Sequence, residues 1–188
     1  MVDPMCGSGT LPIEAAWIAL NRPPGLTRKR FGFMGWMDYD VGLWAQLRDE
    51  ARRGVGKALP APITGSDLRG DAVSFAINNA RAAGIGHLLR FGKGDLRDLQ
   101  LPTGPPGVVV CNPPYGERLG DERELVGLYR LLGEVFRARA PGWRLWVFTG
   151  NARLAREVGQ EPFEEVALFN GKIPCRLLGY SNDAGGAA

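Results

Sequence analysis

The chain has 188 residues, 45% of them hydrophobic and 23% charged, which suits one folded α/β domain and excludes both a disordered segment and a fibrous repeat. No window approaches the roughly 18 uninterrupted apolar residues of a membrane span and the N-terminus lacks the layout of a secretory signal, so a cytoplasmic protein with no membrane partner is expected. The net charge of +3 is too small to imply nucleic acid by itself, and three cysteines, odd in number and far apart, offer neither a disulfide framework nor paired metal-ligand spacing, so no metal is expected.

In chain order, the start is the oddest feature. Only Met1 and Val2 precede Asp3, where an average strand needs about five or six residues, so the first strand looks truncated and the sequence reads as a piece of a longer protein. Asp3-Pro4-Met5-Cys6-Gly7-Ser8-Gly9-Thr10 then turns into a helix over 11–20, with its apolar residues on one face and Glu14 on the other. Gly7 and Gly9 let backbone approach a ligand closely, and free amides at the helix start favour a carboxylate by about 0.3–1 kcal/mol. Pro12 stands where a dinucleotide fingerprint continues with a third small residue, which disfavours a dinucleotide.

Residues 22–60 form an insertion with eight basic side chains against four acidic ones and with Phe31, Phe33, Trp36, Tyr39 and Trp44. A basic stretch attracts phosphates through counterion release, and an ordinary solvated face accounts for it equally well.

From residue 61 onward short β-branched runs alternate with helical periods, as in a mostly parallel sheet covered by helices on both faces, a three-layer α/β/α arrangement. A strand over 63–66 ends at Asp67-Leu68, where the carboxylate either accepts from both ribose hydroxyls of a ligand or caps the helix expected over 72–83. His87, the only histidine, falls in a strand over 87–92 and is given a structural role. Asp95-Leu96 follows, where Asp95 either accepts from an adenine amino group or is a plain turn aspartate. The strand over 108–111 runs into Asn112-Pro113-Pro114-Tyr115, and a helix over 122–139 carries Leu125, Leu128, Leu132 and Phe136. Strands over 144–149, 165–169 and 176–180 close the domain. Only residues 170–175 separate the last two, too few for a helical crossover, so an antiparallel hairpin is expected. The catalytic domain is placed at 1–182, followed by a flexible tail over 183–188.

In an open parallel sheet, ligands bind at the carboxyl ends of the strands, so the four loops after these strands are expected to share one site. Two prolines remove backbone donors and stiffen the fourth loop, leaving the Asn112 side-chain oxygen and the Pro113 carbonyl as acceptors. Two acceptors suit an NH2 group, and holding it this way tilts the nitrogen lone pair out of the ring plane. Tyr115 is placed to stack on the base, a contact worth about 1–3 kcal/mol.

With these residues in view, the chain resembles the class I S-adenosylmethionine methyltransferases that methylate amino groups. The glycine turn at residues 3–10 and Cys111-Asn112-Pro113-Pro114-Tyr115-Gly116-Glu117-Arg118-Leu119 more closely resemble the bacterial large-subunit ribosomal RNA guanine-N2 methyltransferases. The similarity extends through residues 13–16, 21–25, the helix around Leu128 and Tyr129, and Leu168-Phe169-Asn170-Gly171.

The resemblance implies methyl transfer to guanine N2 in ribosomal RNA, with an extruded base and S-adenosyl-L-methionine as cofactor. It implies cofactor contacts from Asp3, Pro4, Cys6, Gly7, Gly9, Thr10, Asp67, Leu68, Asp95, Leu96 and Asn112, with Asn112, Pro113, Pro114 and Tyr115 catalytic. It also implies an upstream THUMP-type RNA-binding region that this sequence lacks. The insertion is expected either to cover the cofactor, to contact RNA, or to pack its aromatics on the core. DNA adenine-N6 and protein glutamine methylation use the same corner chemistry, and a non-catalytic binding or assembly fragment is a third possibility.

Overall fold

The computed structural model describes residues 1–115 and 122–183; Gly116, Glu117, Arg118 and Leu119 of the motif, and the expected tail beyond Asp183, lie outside the described residues. Seven strands form one sheet: β1 (Val2–Asp3), β2 (Thr64–Asp67), β3 (Arg90–Lys93), β4 (Val108–Cys111), β5 (Arg144–Thr149), β6 (Glu164–Asn170) and β7 (Ile173–Ser181). Their order is β3-β2-β1-β4-β5-β7-β6. The first five are parallel, while β7 runs antiparallel to both β5 and β6. Helices α1 (Thr10–Ala19), α2 (Val41–Arg53), α3 (Gly70–Ala82), α4 (Glu122–Arg139) and α5 (Ala152–Arg156) accompany it. Among the described residues no helix is long and apolar enough to cross a membrane.

The expected architecture is present, and two periodicities build it. In β4, buried Val109 and Cys111 alternate with half-buried Val108 and Val110, the period of two that a pleated strand imposes. In α4, Leu125, Tyr129, Leu132 and Phe136 recur at helical spacing and pack with Val109, Leu145, Val147, Leu178 and Tyr180 into the larger core. Each such large apolar side chain contributes about 1.5–3 kcal/mol on burial. The buried Tyr129 hydroxyl lies 2.8 Å from Thr149 Oγ1, which also accepts from the Asn151 amide at the start of α5, so one polar chain fastens two helices to β5. A second core joins Ile13, Ala16 and Leu20 of the first helical segment to Ile63, Ala80, Ile85 and Leu89.

β1 is short, as expected, yet both its residues are buried and paired in parallel: Val2 faces Thr64 on one side and Val109 on the other. The strand expected over 87–92 begins only at Arg90, because Gly84 takes a left-handed φ of 75° and the following residues spend themselves in a turn. His87 is therefore an exposed turn residue rather than a strand residue. The hairpin is tighter than expected, with only Gly171 and Lys172 between β6 and β7, and Pro174 lies inside β7 opposite Phe169.

The insertion also differs from expectation. Its rings pack on one another, Phe33 lying 5.4 Å from Phe31, 5.0 Å from Trp44 and 6.0 Å from Tyr39, and none of the five belongs to either core. It leaves the end of α1 and returns to the start of β2, with the Gly56 amide donating to the Leu20 carbonyl. That is the amino edge of the strands, opposite the loops that follow β1, β2 and β4.

Gly133 of α4 is buried against α5, where an added Cβ would collide with the Val158 carbonyl. Gly133→Ala is expected to cost about 1–3 kcal/mol through overpacking, read as a lower urea midpoint with an unchanged slope.

Candidate functional site

The loops after β1, β2, β3 and β4 border one cavity of about 1270 Å³ at the carboxyl edge of the sheet. Strand order reverses between β1 and β4, and that switch point is where open α/β sheets part to admit a ligand. Of the residues expected at the site, Pro4, Gly7, Asp67, Leu68, Asp95, Leu96, Asn112, Pro113, Pro114 and Tyr115 line this cavity. Asp3, Cys6, Gly9 and Thr10 do not.

The glycine turn explains that division, since it has an inner and an outer side. Gly9 has φ 84° and caps α1, and a Cβ there would sit 2.9 Å from Ala76 Cβ, so its role is close packing against α3. Gly7 has φ 52° and nothing within 4 Å of the same position, which leaves its backbone open to the cavity. Cys6 is buried, its amide donating to the Ser66 carbonyl at 2.9 Å. Thr10 is exposed, with its hydroxyl 3.4 Å from that of Ser8.

Asp67 anchors the turn to β2. Its Oδ2 accepts from the Gly7 amide at 3.0 Å and its Oδ1 from the Arg69 amide at 2.9 Å. Each oxygen keeps a further lone pair, enough for a pair of ligand hydroxyls. Asp67 thus fits a diol while already holding the glycine turn.

Asp3 lies beneath, only 1% exposed, with Oδ1 accepting from the Met5 amide at 3.1 Å. Burial raises its pKa to about 7, the nearby Asp67 charge adds to the rise, and the Met5 bond opposes it. Burial also raises the Cys6 thiol to about 12 and pushes Cys111 well above its ordinary value, so neither supplies a thiolate nucleophile.

Asp95 caps the short 3-10 turn Leu96–Asp98 by accepting from the Arg97 amide at 2.8 Å, and its other oxygen meets Arg97 Nη1 at 2.9 Å. The amide and the guanidinium hold its carboxyl below the usual range. It is thus a turn aspartate that also borders the cavity. Asn112 is exposed and its side chain makes no hydrogen bond among the described residues, so both its polar atoms are available to a ligand. Pro113 behind it is buried. The Tyr115 ring meets Phe148 edge-on at 6.5 Å, and its hydroxyl accepts from Asn170 Nδ2 at 2.8 Å.

Sequence reasoning missed Phe75, Arg69, Arg97, Leu128, Asn170 and Ile173, all of which line the cavity. Only Asn170 carried a signal, as part of Leu168-Phe169-Asn170-Gly171. No residue of the insertion lines the cavity, so it does not cover a ligand there.

The family described as UPF0020, RMKL-like methyltransferase domain, matches residues 1–178. The chain belongs to this family. Among its relatives, a ribosomal RNA large subunit methyltransferase K/L from Syntrophotalea carbinolica is 47% identical over 96% of this chain and 26% of its own length. One of the same name from Allochromatium vinosum is 41% identical over 96% of this chain and 25% of its own length. The chain therefore spans about a quarter of the length of these curated relatives.

Among solved structures, SMU.472 complexed with SAH matches at a TM-score of 0.88 and 33% identity, covering 98% of this chain and 48% of that one. A Listeria monocytogenes protein, titled a predicted N6-adenine-specific DNA methylase, matches at 0.83 and 36% identity, covering 95% and 45%.

The Asp3 carboxyl ties this family domain to pH. Its ordinary value of 3.8 rises to about 7 on folding, so the native state holds the extra proton between those values. The resulting stability is fully present below the unfolded value and is lost as pH rises through 7. Asp3→Asn is expected to flatten the fall in stability between pH 4 and 7 and to leave the variant more stable than wild type at pH 8, as measured by urea unfolding. Equal slopes in the two proteins would place that titration elsewhere.

Proposed function

We propose that this chain is the methyltransferase domain of an S-adenosylmethionine-dependent RNA methyltransferase, with residues 1–182 as its catalytic domain. The atom modified is the exocyclic N2 of a guanine in large-subunit ribosomal RNA. One observation carries this: the glycine turn after β1 and the Asn112–Tyr115 corner after β4 stand on neighbouring strands and border the same cavity. The names of the ribosomal RNA relatives and the SAH bound to SMU.472 support the substrate and the cofactor.

When bound, S-adenosylmethionine supplies a methyl group on a positively charged sulfur. The backbone at Gly7 and Ser8 receives its amino-acid end, beside the start of α1, where free amides favour a carboxylate. Asp67 accepts from the ribose hydroxyls with the lone pairs that Gly7 and Arg69 leave unused. Asp95 accepts from the adenine amino group, between Leu68 and Leu96.

On the other side of the cavity, the Asn112 oxygen and the Pro113 carbonyl accept the two hydrogens of the target NH2. The nitrogen lone pair is thereby turned out of the ring plane, and the same acceptors steady the positive charge that grows on nitrogen. No strong general base is required, because the amine attacks with its own lone pair. Tyr115 stacks on the base and excludes water from one face. An RNA-binding region of the THUMP type, in a longer polypeptide, brings the RNA, and a cytoplasmic location goes with a ribosomal substrate.

DNA adenine-N6 methylation is the second reading, favoured by the printed name of the 36%-identical Listeria structure. Incubation with labelled S-adenosylmethionine and RNA, DNA or release-factor protein separates the possibilities. Label is expected in RNA, as N2-methylguanosine on nucleoside analysis; label confined to DNA would transfer the assignment. Asn112→Ala is expected to slow transfer about 100-fold while cofactor affinity stays within about twofold. Asp67→Ala is expected to weaken cofactor binding by about tenfold or more in calorimetry.

A further inference from the structure

The β6–β7 hairpin extends past the end of β5. Thr149, the last residue of β5, pairs with Arg176, so Ile173, Pro174 and Cys175 project beyond it, a reach of about 10 Å at about 3.4 Å per residue. Leu168, Phe169 and Asn170 pair with those three and project alongside them. The overhang brings Asn170 to the corner after β4, 55 residues away in sequence, where its amide donates to Tyr115 Oη at 2.8 Å.

The contacts around that ring form a clamp. A Cβ on Gly150 would lie 2.8 Å from Tyr115 Cε2 and 3.2 Å from Ile173 Cγ2, so the ring occupies the space a side chain would need. Phe148 meets it edge-on, and Cys175 Sγ lies 3.7 Å from its hydroxyl. These neighbours come from β5 and β7, which hold the edge and one face of the ring. The Asn170 bond fixes the hydroxyl end.

Asn170 is exposed, so its hydrogen bond adds little to folding stability. Its consequence is orientational. A tyrosine ring has a broad torsional well about its second side-chain bond, and a base stacks on it best when that freedom has been removed beforehand.

We infer that Asn170 is a positioning residue: by donating to the Tyr115 hydroxyl it sets the ring plane before the target base arrives. This rests on the RNA-methylating function proposed above for the same cavity. Asn170 acts through Tyr115 and takes no part in the transfer itself. An aspartate at the same position keeps the geometry, since its carboxylate accepts the phenol proton where the amide donated one.

Two measurements on the whole chain test this. With ring-labelled tyrosine, the chain shows four tyrosines, and the Tyr115 resonance is assigned by its loss in Tyr115→Phe. Asn170→Ala is expected to shift and broaden that resonance and to leave the other three unchanged, while Asn170→Asp restores it. An unaltered Tyr115 signal in Asn170→Ala would overturn the clamp.

In RNA methylation assays, Asn170→Ala is expected to lower kcat/KM about tenfold, with S-adenosylmethionine affinity unchanged by calorimetry and with recovery in Asn170→Asp. In a Tyr115→Phe background the Asn170→Ala change is expected to add less than about twofold. An equal loss in both backgrounds would mean that Asn170 works independently of Tyr115, and the inference fails. Absence of any RNA methylation by the wild type would instead remove the proposed function, while the resonance experiment still decides the clamp.

Discussion

Two residues of β1 carry the arrangement of the whole site. Val2 pairs with Thr64 of β2 and Val109 of β4, so this strand fixes the height at which its neighbours end. Parallel pairing puts all carboxyl ends on one side of the sheet, and the reversal of strand order at β1 leaves a gap above it. The glycine turn spans that gap and is pinned by the Gly7 amide on the Asp67 carboxylate, a bond between segments 60 residues apart. If this seating shifted, the glycine turn and the proline-braced corner would no longer address the same space.

The same compactness sets the electrostatics. Asp3 and Asp67 lie close enough for the charge of one to oppose ionisation of the other, and only the exposed member keeps free lone pairs toward the cavity. The buried member secures the turn through the Met5 amide. Two aspartates of one type thus take different roles because one is desolvated and the other is not.

Much of this was legible in the sequence, for reasons that differ from one element to the next. The α4 helix matches its expected bounds because Leu125, Leu132 and Phe136 mark an apolar face over eighteen residues. Asn112-Pro113-Pro114-Tyr115 was legible because consecutive prolines have few other uses after a buried strand. The division of the first loop was not, since a string of residues does not say which side of a turn each one faces. His87 was misplaced because Leu88, Leu89 and Phe91 mimic a strand, while the turn that displaces them depends on Gly84 packing near Arg22. The insertion was misjudged for want of direction: α1 runs back along the sheet, so whatever follows it starts at the far edge.

Asn170 shows what sequence spacing conceals, since its partner is reached only through strand pairing. The turn beside it holds just Gly171, with φ 60°, and Lys172. Side chains alternate faces along a strand, so lengthening this connection by one residue would slip the pairing and turn Asn170 to the opposite face. The length of a two-residue bend, far from any reacting atom, therefore works as a ruler that decides whether the aromatic wall of the cavity is held or free.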